Sequence, residues 1–139
     1  SKLIDLYVQY DFYLEHLISI TKKGMRGQEE IAEMMQGYRN NPPTTINGVR
    51  VVHLLDYQLQ VGKNLVVNEI WDITLPKSNV LQFLLEDGTK ISARPSGTEP
   101  KIKFYFSVNT KLANKDAYDE THAMLMSRIK AVIDDMKLK

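Results

Sequence analysis

Cysteine does not occur in the 139 residues, which excludes disulfides, zinc–thiolate sites and thiol nucleophiles and is compatible with the cytoplasm. A run of about eighteen apolar residues is also missing, as is a basic-then-apolar leader, so neither membrane spanning nor export is expected. Charge of one sign has no excess: Lys and Arg number 18 against 17 Asp and Glu, a formal balance of +1. No general field draws the chain to nucleic acid or to an anionic membrane, and any anion binding has to come from a local site. Neither G-x-G-x-x-G nor G-x-x-x-x-G-K-S/T is found, so a nucleotide site has no support. The three histidines, His16, His53 and His122, are far apart and none belongs to an H-E-x-x-H arrangement. Asp134 and Asp135, near the end of a helical pattern, read as a solvated face rather than a metal site. Internal repeats and low-complexity tracts are absent.

What is present is an ordinary folded composition. With 43% hydrophobic and 25% charged residues the chain lies near the globular average and away from disordered or collagen-like sequences. Its length supports one domain, or a smaller domain plus a piece of another. The clearest linker is Asn40-Asn41-Pro42-Pro43-Thr44-Thr45, because two prolines cannot continue a helix and the residue before each is pushed to extended geometry. A division at 43/44 follows.

Before that division, Leu3, Leu6, Tyr7 and Tyr10 recur at helical spacing, and Ile31, Met34, Met35 and Tyr38 predict a second helix with Glu29 and Glu30 favourably placed in its first turn. Between them, Leu14 to Thr21 predicts a strand with His16, Ile18 and Ile20 on one face. This part has too few apolar positions to close a core of its own, so it must pack on the second part or on something outside the chain. After the division, Val49 to Val61 reads as a strand, with Val52 to Leu55 buried on both faces. Asp87-Gly88 between Val80–Leu85 and Thr89–Ala93 predicts a two-residue hairpin with φ > 0 at both positions. Ile102, Phe104 and Phe106 alternate with Lys103, Tyr105 and Ser107 along the next strand. Asn114 is placed to cap a last helix whose apolar face is Tyr118, Leu125, Ile129, Val132, Ile133 and Met136. Trp71 reads as a packing aromatic rather than a sugar platform. The sum is an α+β domain, a small antiparallel sheet of about four strands covered by helices on one face.

The chemistry concentrates in Arg94-Pro95-Ser96-Gly97-Thr98-Glu99-Pro100-Lys101, between two strand-like runs. Arg94 offers a planar fork for two phosphate oxygens, with hydroxyl donors from Ser96 and Thr98 on either side of Gly97. Gly97 permits φ > 0, so that successive N–H groups converge on an anion. Pro95 and Pro100 stiffen the ends, which reduces the entropy lost on binding. Glu99 is placed to orient Arg94 or Lys101 by an ion pair. The same residue types also make ordinary turns, and composition leaves both readings open.

The surrounding residues decide between them. Leu75-Pro76-Lys77-Ser78-Asn79-Val80-Leu81, Glu86-Asp87-Gly88, Arg94 through Lys103 and Tyr105 resemble the C-terminal domain of the α-D-phosphohexomutases, the phosphoglucomutases and phosphomannomutases. Tyr7 to Tyr13 with Glu15, Leu17, Ser19, Thr21, Gly24, Gly27, Met34, Met35 and Arg39 looks like the end of the domain that precedes it. The resemblance implies a TATA-box-binding-protein-like fold for residues 44–139, with residues 1–43 a remnant of the preceding α/β domain plus linker. It implies that Arg94, Ser96, Gly97 and Thr98, and more weakly Lys101, hold the phosphate of a phosphosugar that is not being transferred. The family's phosphoserine loop, its aspartate-rich Mg²⁺ loop and its sugar-reading loop have no counterpart here. The resemblance therefore implies a C-terminal piece of a longer cytoplasmic enzyme, inactive alone, whose partners are the upstream domains of the same polypeptide. Glucose phosphate is the first choice of substrate, because Lys77 to Lys103 looks most like bacterial phosphoglucomutases, with mannose and pentose phosphates as alternatives. A noncatalytic phosphosugar-binding module is the second reading. A nucleic-acid-binding domain, suggested by Tyr105 and Phe106 beside Lys103, is disfavoured by the charge balance and the lack of an RNP-like pattern.

Overall fold

The computed structural model of the chain describes residues 10–112 and 118–136. In chain order these form β1 (Tyr10–Thr21), α1 (Gly27–Asn40), β2 (Thr45–Ile46), β3 (Val49–Asp56), β4 (Val61–Asn64), β5 (Glu69–Asp72), β6 (Leu81–Leu85), β7 (Lys90–Pro95), β8 (Lys101–Leu112) and α2 (Tyr118–Asp135). The sheet runs β1-β8-β7-β6-β3-β4-β5, with β2 paired to β3 off this path. Every pairing is antiparallel. The fold is α+β as the sequence predicts, but the sheet has eight strands rather than about four.

The extra strands arise where the sequence pattern looks continuous or suggests another element. Val49 to Val61 is not one strand, because the chain turns after Asp56 and returns as β4. Asp56 causes the turn: its Oδ1 accepts the N–H groups of Gln58 and Leu59 at 3.1 and 3.2 Å, an Asx turn that needs neither glycine nor proline. Within β3 the register against β6 shifts between Val51 and His53. That bulge puts Val51 and Leu54, three residues apart, both in the core at 1% exposure, where strict alternation would part them. Leu55 and His53 are only half-buried, so this strand is not covered on both faces. Tyr10, expected on a helix, opens β1, while Leu3, Leu6, Tyr7 and the Asn114 cap lie outside the described residues.

The hairpin at Asp87-Gly88 also differs from expectation. Gly88 has φ 90 but Asp87 is not left-handed, and the Gly88 N–H donates to the Leu85 carbonyl while the Leu85 N–H donates to that of Thr89. The connection is a three-residue loop, a tight turn followed by a left-handed glycine, which is the next commonest hairpin solution.

One face of the sheet carries the core. Ile102, Phe104, Phe106 and Val108 of β8, Ile91 and Ala93 of β7, and Leu81, Phe83 and Leu85 of β6 are all buried. Ile31 and Met35 of α1 and Leu125, Ile129, Val132 and Ile133 of α2 close over them in one continuous cluster. Each fully buried Phe contributes about 1.5–3 kcal/mol relative to exposure. β1 pairs with β8 from Tyr10 opposite Leu112 to Thr21 opposite Lys101, so the segment before the prolines packs on the segment after them. The other sheet face, with Leu17 and Tyr105 at 48% and 39% exposure, has no helix on it among the described residues.

Candidate functional site

The Arg94 loop sits where β7 ends at Pro95 and β8 begins at Lys101. Its neck is closed by the Ser96 N–H donating to the Lys101 carbonyl at 2.9 Å, and the Lys101 N–H donates to the Glu99 carbonyl at 2.7 Å. Gly97 has φ 87, and a Cβ placed on it would meet nothing within 4 Å. Glycine is required there by the left-handed backbone and not by crowding, and the space beside it is open. Arg94, Ser96, Gly97, Thr98 and Glu99 are all exposed. The corner is not occluded.

Register adds a residue to this group. Arg94 of β7 pairs with Lys103 of β8, and Lys103 pairs on its other side with Ser19 of β1. Directly opposed residues on neighbouring strands share a face, with Cβ atoms about 4.5–5.5 Å apart. Two cations thus stand side by side at the end of the loop, on the sheet face without helices. Neither has an ion-pair partner among the described residues. Glu99 pairs with Lys101 at 3.2 Å, side chains 44% and 59% exposed in the order Lys101, Glu99, so it leaves Arg94 unneutralised. An exposed pair of that kind is worth little to stability. In the sequence Lys103 stands out only as a cation alternating with Ile102 and Phe104, not as a partner of Arg94. The matching alternation of Arg94 with Ala93 is the signal that would have paired them.

The loop is backed from behind. The Lys22 N–H donates to the Pro100 carbonyl at 2.8 Å, tying the end of β1 to the loop. A cavity of about 180 Å³ separates α1 from the loop, lined by Gln28, Ile31, Asn79, Pro95, Gly97 and Glu99. At its Asn79 side lies a polar cluster around the buried Asp56: Arg39 Nε donates to Asp56 Oδ2 at 2.9 Å, and Arg39 Nη2 donates to the exposed Asn79 Oδ1 at 2.8 Å and Gln58 Oε1 at 3.2 Å. Asp56 gives no turn signal in the sequence, because the residues on both sides of it still read as strand.

The remaining candidates do not join this site. Trp71 lies across Gly62, where a Cβ would overlap its indole, and meets the His53 ring edge-on at a centroid distance of 5.4 Å. That is packing, as its pattern predicts. Asp135 Oδ2 accepts the Asn47 N–H at 2.7 Å. No three or more His, Asp or Glu side chains among the described residues converge as a metal would need, and no helix of the described chain is long and apolar enough to cross a membrane.

Comparison with known proteins agrees with the resemblance seen in the loop. Residues 26–124 match the family model of the phosphoglucomutase/phosphomannomutase C-terminal domain. A phosphoglucomutase of Staphylococcus saprophyticus is 34% identical over 107 residues, 77% of this chain and 19% of that protein. One of Staphylococcus epidermidis is 39% identical over 109 residues, 78% of this chain and 20% of that protein. A third, from Staphylococcus aureus, is 35% identical over 127 residues, 91% of this chain and 23% of that protein. The chain spans about a fifth of the length of these relatives. The matched stretch contains α1, the hairpins, the Arg94 loop and the start of α2, and with that coverage the chain belongs to the phosphoglucomutase/phosphomannomutase family.

Proposed function

We propose that residues 94–103 bind the phosphate of a hexose phosphate, as the substrate-phosphate clamp of a phosphoglucomutase-type enzyme. The observation that carries this is the pair Arg94 and Lys103, opposed across β7 and β8 with no carboxylate paired to either among the described residues. Like charges directly opposed on a sheet destabilise each other, and a dianion between them reverses that term. Arg94 supplies a two-oxygen fork, Lys103 a point charge, Ser96 and Thr98 hydroxyl donors, and the backbone around Gly97 converging N–H groups. Lys101, already paired with Glu99, is a secondary contact.

In this reading residues 1–43 are the end of the preceding domain and its linker, of which Tyr10–Thr21 and Gly27–Asn40 form an edge strand and a backing helix on the phosphate-binding domain 44–139. The whole enzyme interconverts hexose 1-phosphate and hexose 6-phosphate through a bisphosphate that reorients between two phosphoryl transfers. The clamp holds whichever phosphate is not in transfer, so it recognises phosphate rather than the hexose ring. Positioning and charge stabilisation are its contribution. The family's phosphoserine and Mg²⁺ belong to the parent outside these residues. This chain supplies no group for the transfer step and is expected to turn over no glucose 1-phosphate alone.

Titration of the chain with glucose 6-phosphate, inorganic phosphate and a short oligonucleotide, followed at the amides of Gly97 and Thr98, tests the proposal. Weak binding of both phosphates, lost in Arg94→Ala, is expected. Undisturbed loop amides at saturating phosphate refute it, and tight, steeply salt-dependent oligonucleotide binding points to a nucleic-acid module instead.

A further inference from the structure

We infer that Gly27, distant in sequence from the loop, is a positioning residue for the phosphate site: it lets the start of α1 seat against Pro100 and so fixes the loop that carries Gly97 and Thr98. The inference rests on the phosphate-clamp reading for its functional consequence, though its structural half stands alone.

Gly27 is the first residue of α1 and is buried. In a helix interior a glycine costs about 0.8–1 kcal/mol relative to alanine; at this first position the propensity cost is smaller, and the reason for glycine lies elsewhere. Backbone conformation is not that reason, since the left-handed glycines are Gly24, Gly48, Gly88 and Gly97. Crowding is. A Cβ on Gly27 would overlap the Lys22 carbonyl oxygen and come within 2.8 Å of the Pro100 Cβ. Lys22 is also the residue whose N–H donates to the Pro100 carbonyl at 2.8 Å. One side of Pro100 is therefore held by a hydrogen bond from the end of β1, and another by the bare Cα that opens α1.

The contact acts on the site because of where Pro100 stands. Within the loop, the Ser96-to-Lys101 and Lys101-to-Glu99 backbone bonds close the neck, and Gly97 makes no contact on its own Cβ side. Among the described residues no backbone hydrogen bond other than that from Lys22 ties the tip of the loop to the rest of the fold. The seat at Gly27 and Lys22 is the outside anchor. A methyl at Gly27 has no flexible side-chain end to push aside, since both obstacles are rigid: a backbone carbonyl and a proline ring carbon. Either α1 moves off the loop or Pro100 moves with residues 97–99, and the N–H groups that converge on phosphate lose their preset geometry.

The test compares Gly27→Ala with Gly37→Ala in the same helix, where a Cβ meets nothing within 4 Å. Both are the same chemical change, and only the first touches the loop. Gly27→Ala is expected to shift the Gly97 and Thr98 amides and speed exchange of the Lys22 amide without ligand. It is also expected to weaken inorganic phosphate binding about tenfold or more, the size of one lost charge-assisted hydrogen bond. Gly37→Ala is expected to change none of these. A folded Gly27→Ala with wild-type loop amides and wild-type phosphate affinity overturns the inference, even if its melting temperature falls, because a merely structural glycine would move only stability. Pro100→Gly approaches the same seat from the loop side and is read identically if Gly27→Ala does not fold; unchanged loop exchange and affinity in it count against the inference. Should the wild-type chain bind no phosphate, the clamp reading fails, while the ligand-free amide shifts still decide whether Gly27 positions the loop.

Discussion

The most informative perturbation of the fold is Arg39→Met. Arg39 and Asp56 make a close ion pair, Nε to Oδ2 at 2.9 Å, with side chains only 12% and 5% exposed. Asp56 Oδ1 is separately satisfied by the Gln58 and Leu59 N–H groups, so the guanidinium is what compensates Oδ2. Met preserves most of the apolar stem of Arg39 and removes the charge, leaving a buried carboxylate oxygen without a partner. Removing one member of a buried pair costs about 3–5 kcal/mol, and the slight exposure of Arg39 admits water and argues for the lower end. For a domain of this size about 3 kcal/mol lowers the melting temperature by roughly 10 °C. Urea unfolding measures the loss directly. Asp56→Asn keeps a turn-accepting oxygen but removes the charge, and the double variant should lose less than the sum of the singles, by about 0.5–3 kcal/mol. An Arg39→Met chain within about 0.5 kcal/mol of the parent, the range of an inert surface change, would mean that the ion pair is not needed to compensate Asp56, as would simple additivity.

Arg94→Ala is expected to lose about 1.5–3 kcal/mol of phosphate binding, roughly ten- to a hundredfold, with little change in stability; titration followed at the Gly97 amide checks it. Gly62→Ala places a methyl inside the Trp71 indole and should cost about 1–3 kcal/mol by overpacking. Because Trp71 is the single tryptophan, a red shift of its fluorescence and a lower urea midpoint report that directly. Burial lifts the Tyr38 phenol above its usual value, and Tyr38 packs edge-on against Phe83 at 5.4 Å. The folded chain therefore holds that proton more tightly than the unfolded one. The associated stability is complete below about pH 10, the unfolded value, and falls as pH rises toward and through the folded value. Tyr38→Phe should flatten that alkaline decline; the same slope in both proteins would remove Tyr38 as its source.

Much of this architecture is written locally. Ile102, Phe104 and Phe106 alternate without interruption, and Ile31, Met34, Met35 and Tyr38 keep helical period, so β8 and α1 follow from side-chain spacing alone. The loop is legible for the same reason, as its chemistry and its stiffness sit in eight consecutive residues. The β3–β4 turn is not, because its instruction is a single carboxylate, Asp56, that folds back on its own backbone while the surrounding residues still look like strand. Gln60 then takes φ 56 without being glycine, which no propensity would nominate. The bulge between Val51 and His53 is hidden likewise, since a shift of face shows in sequence only as a lapse in alternation.

The features of the site that escaped the sequence share one physical origin: each depends on which strands become neighbours. Lys103 is an ordinary outward lysine until β7 lies beside β8 and sets it opposite Arg94. Gly27 is an ordinary flexible residue until β1 lies beside β8 and brings the β1–α1 corner against Pro100. Those contacts follow from the hydrophobic faces that choose the sheet order, because slipping β1 by one residue would turn Ile18 out of the core and expose it. The apolar pattern thus does more than stabilise the domain. By fixing the β1–β8 and β7–β8 registers it also sets the charge and the rigidity of the proposed phosphate site, and core substitutions that slip either register should disturb the loop before they unfold the chain.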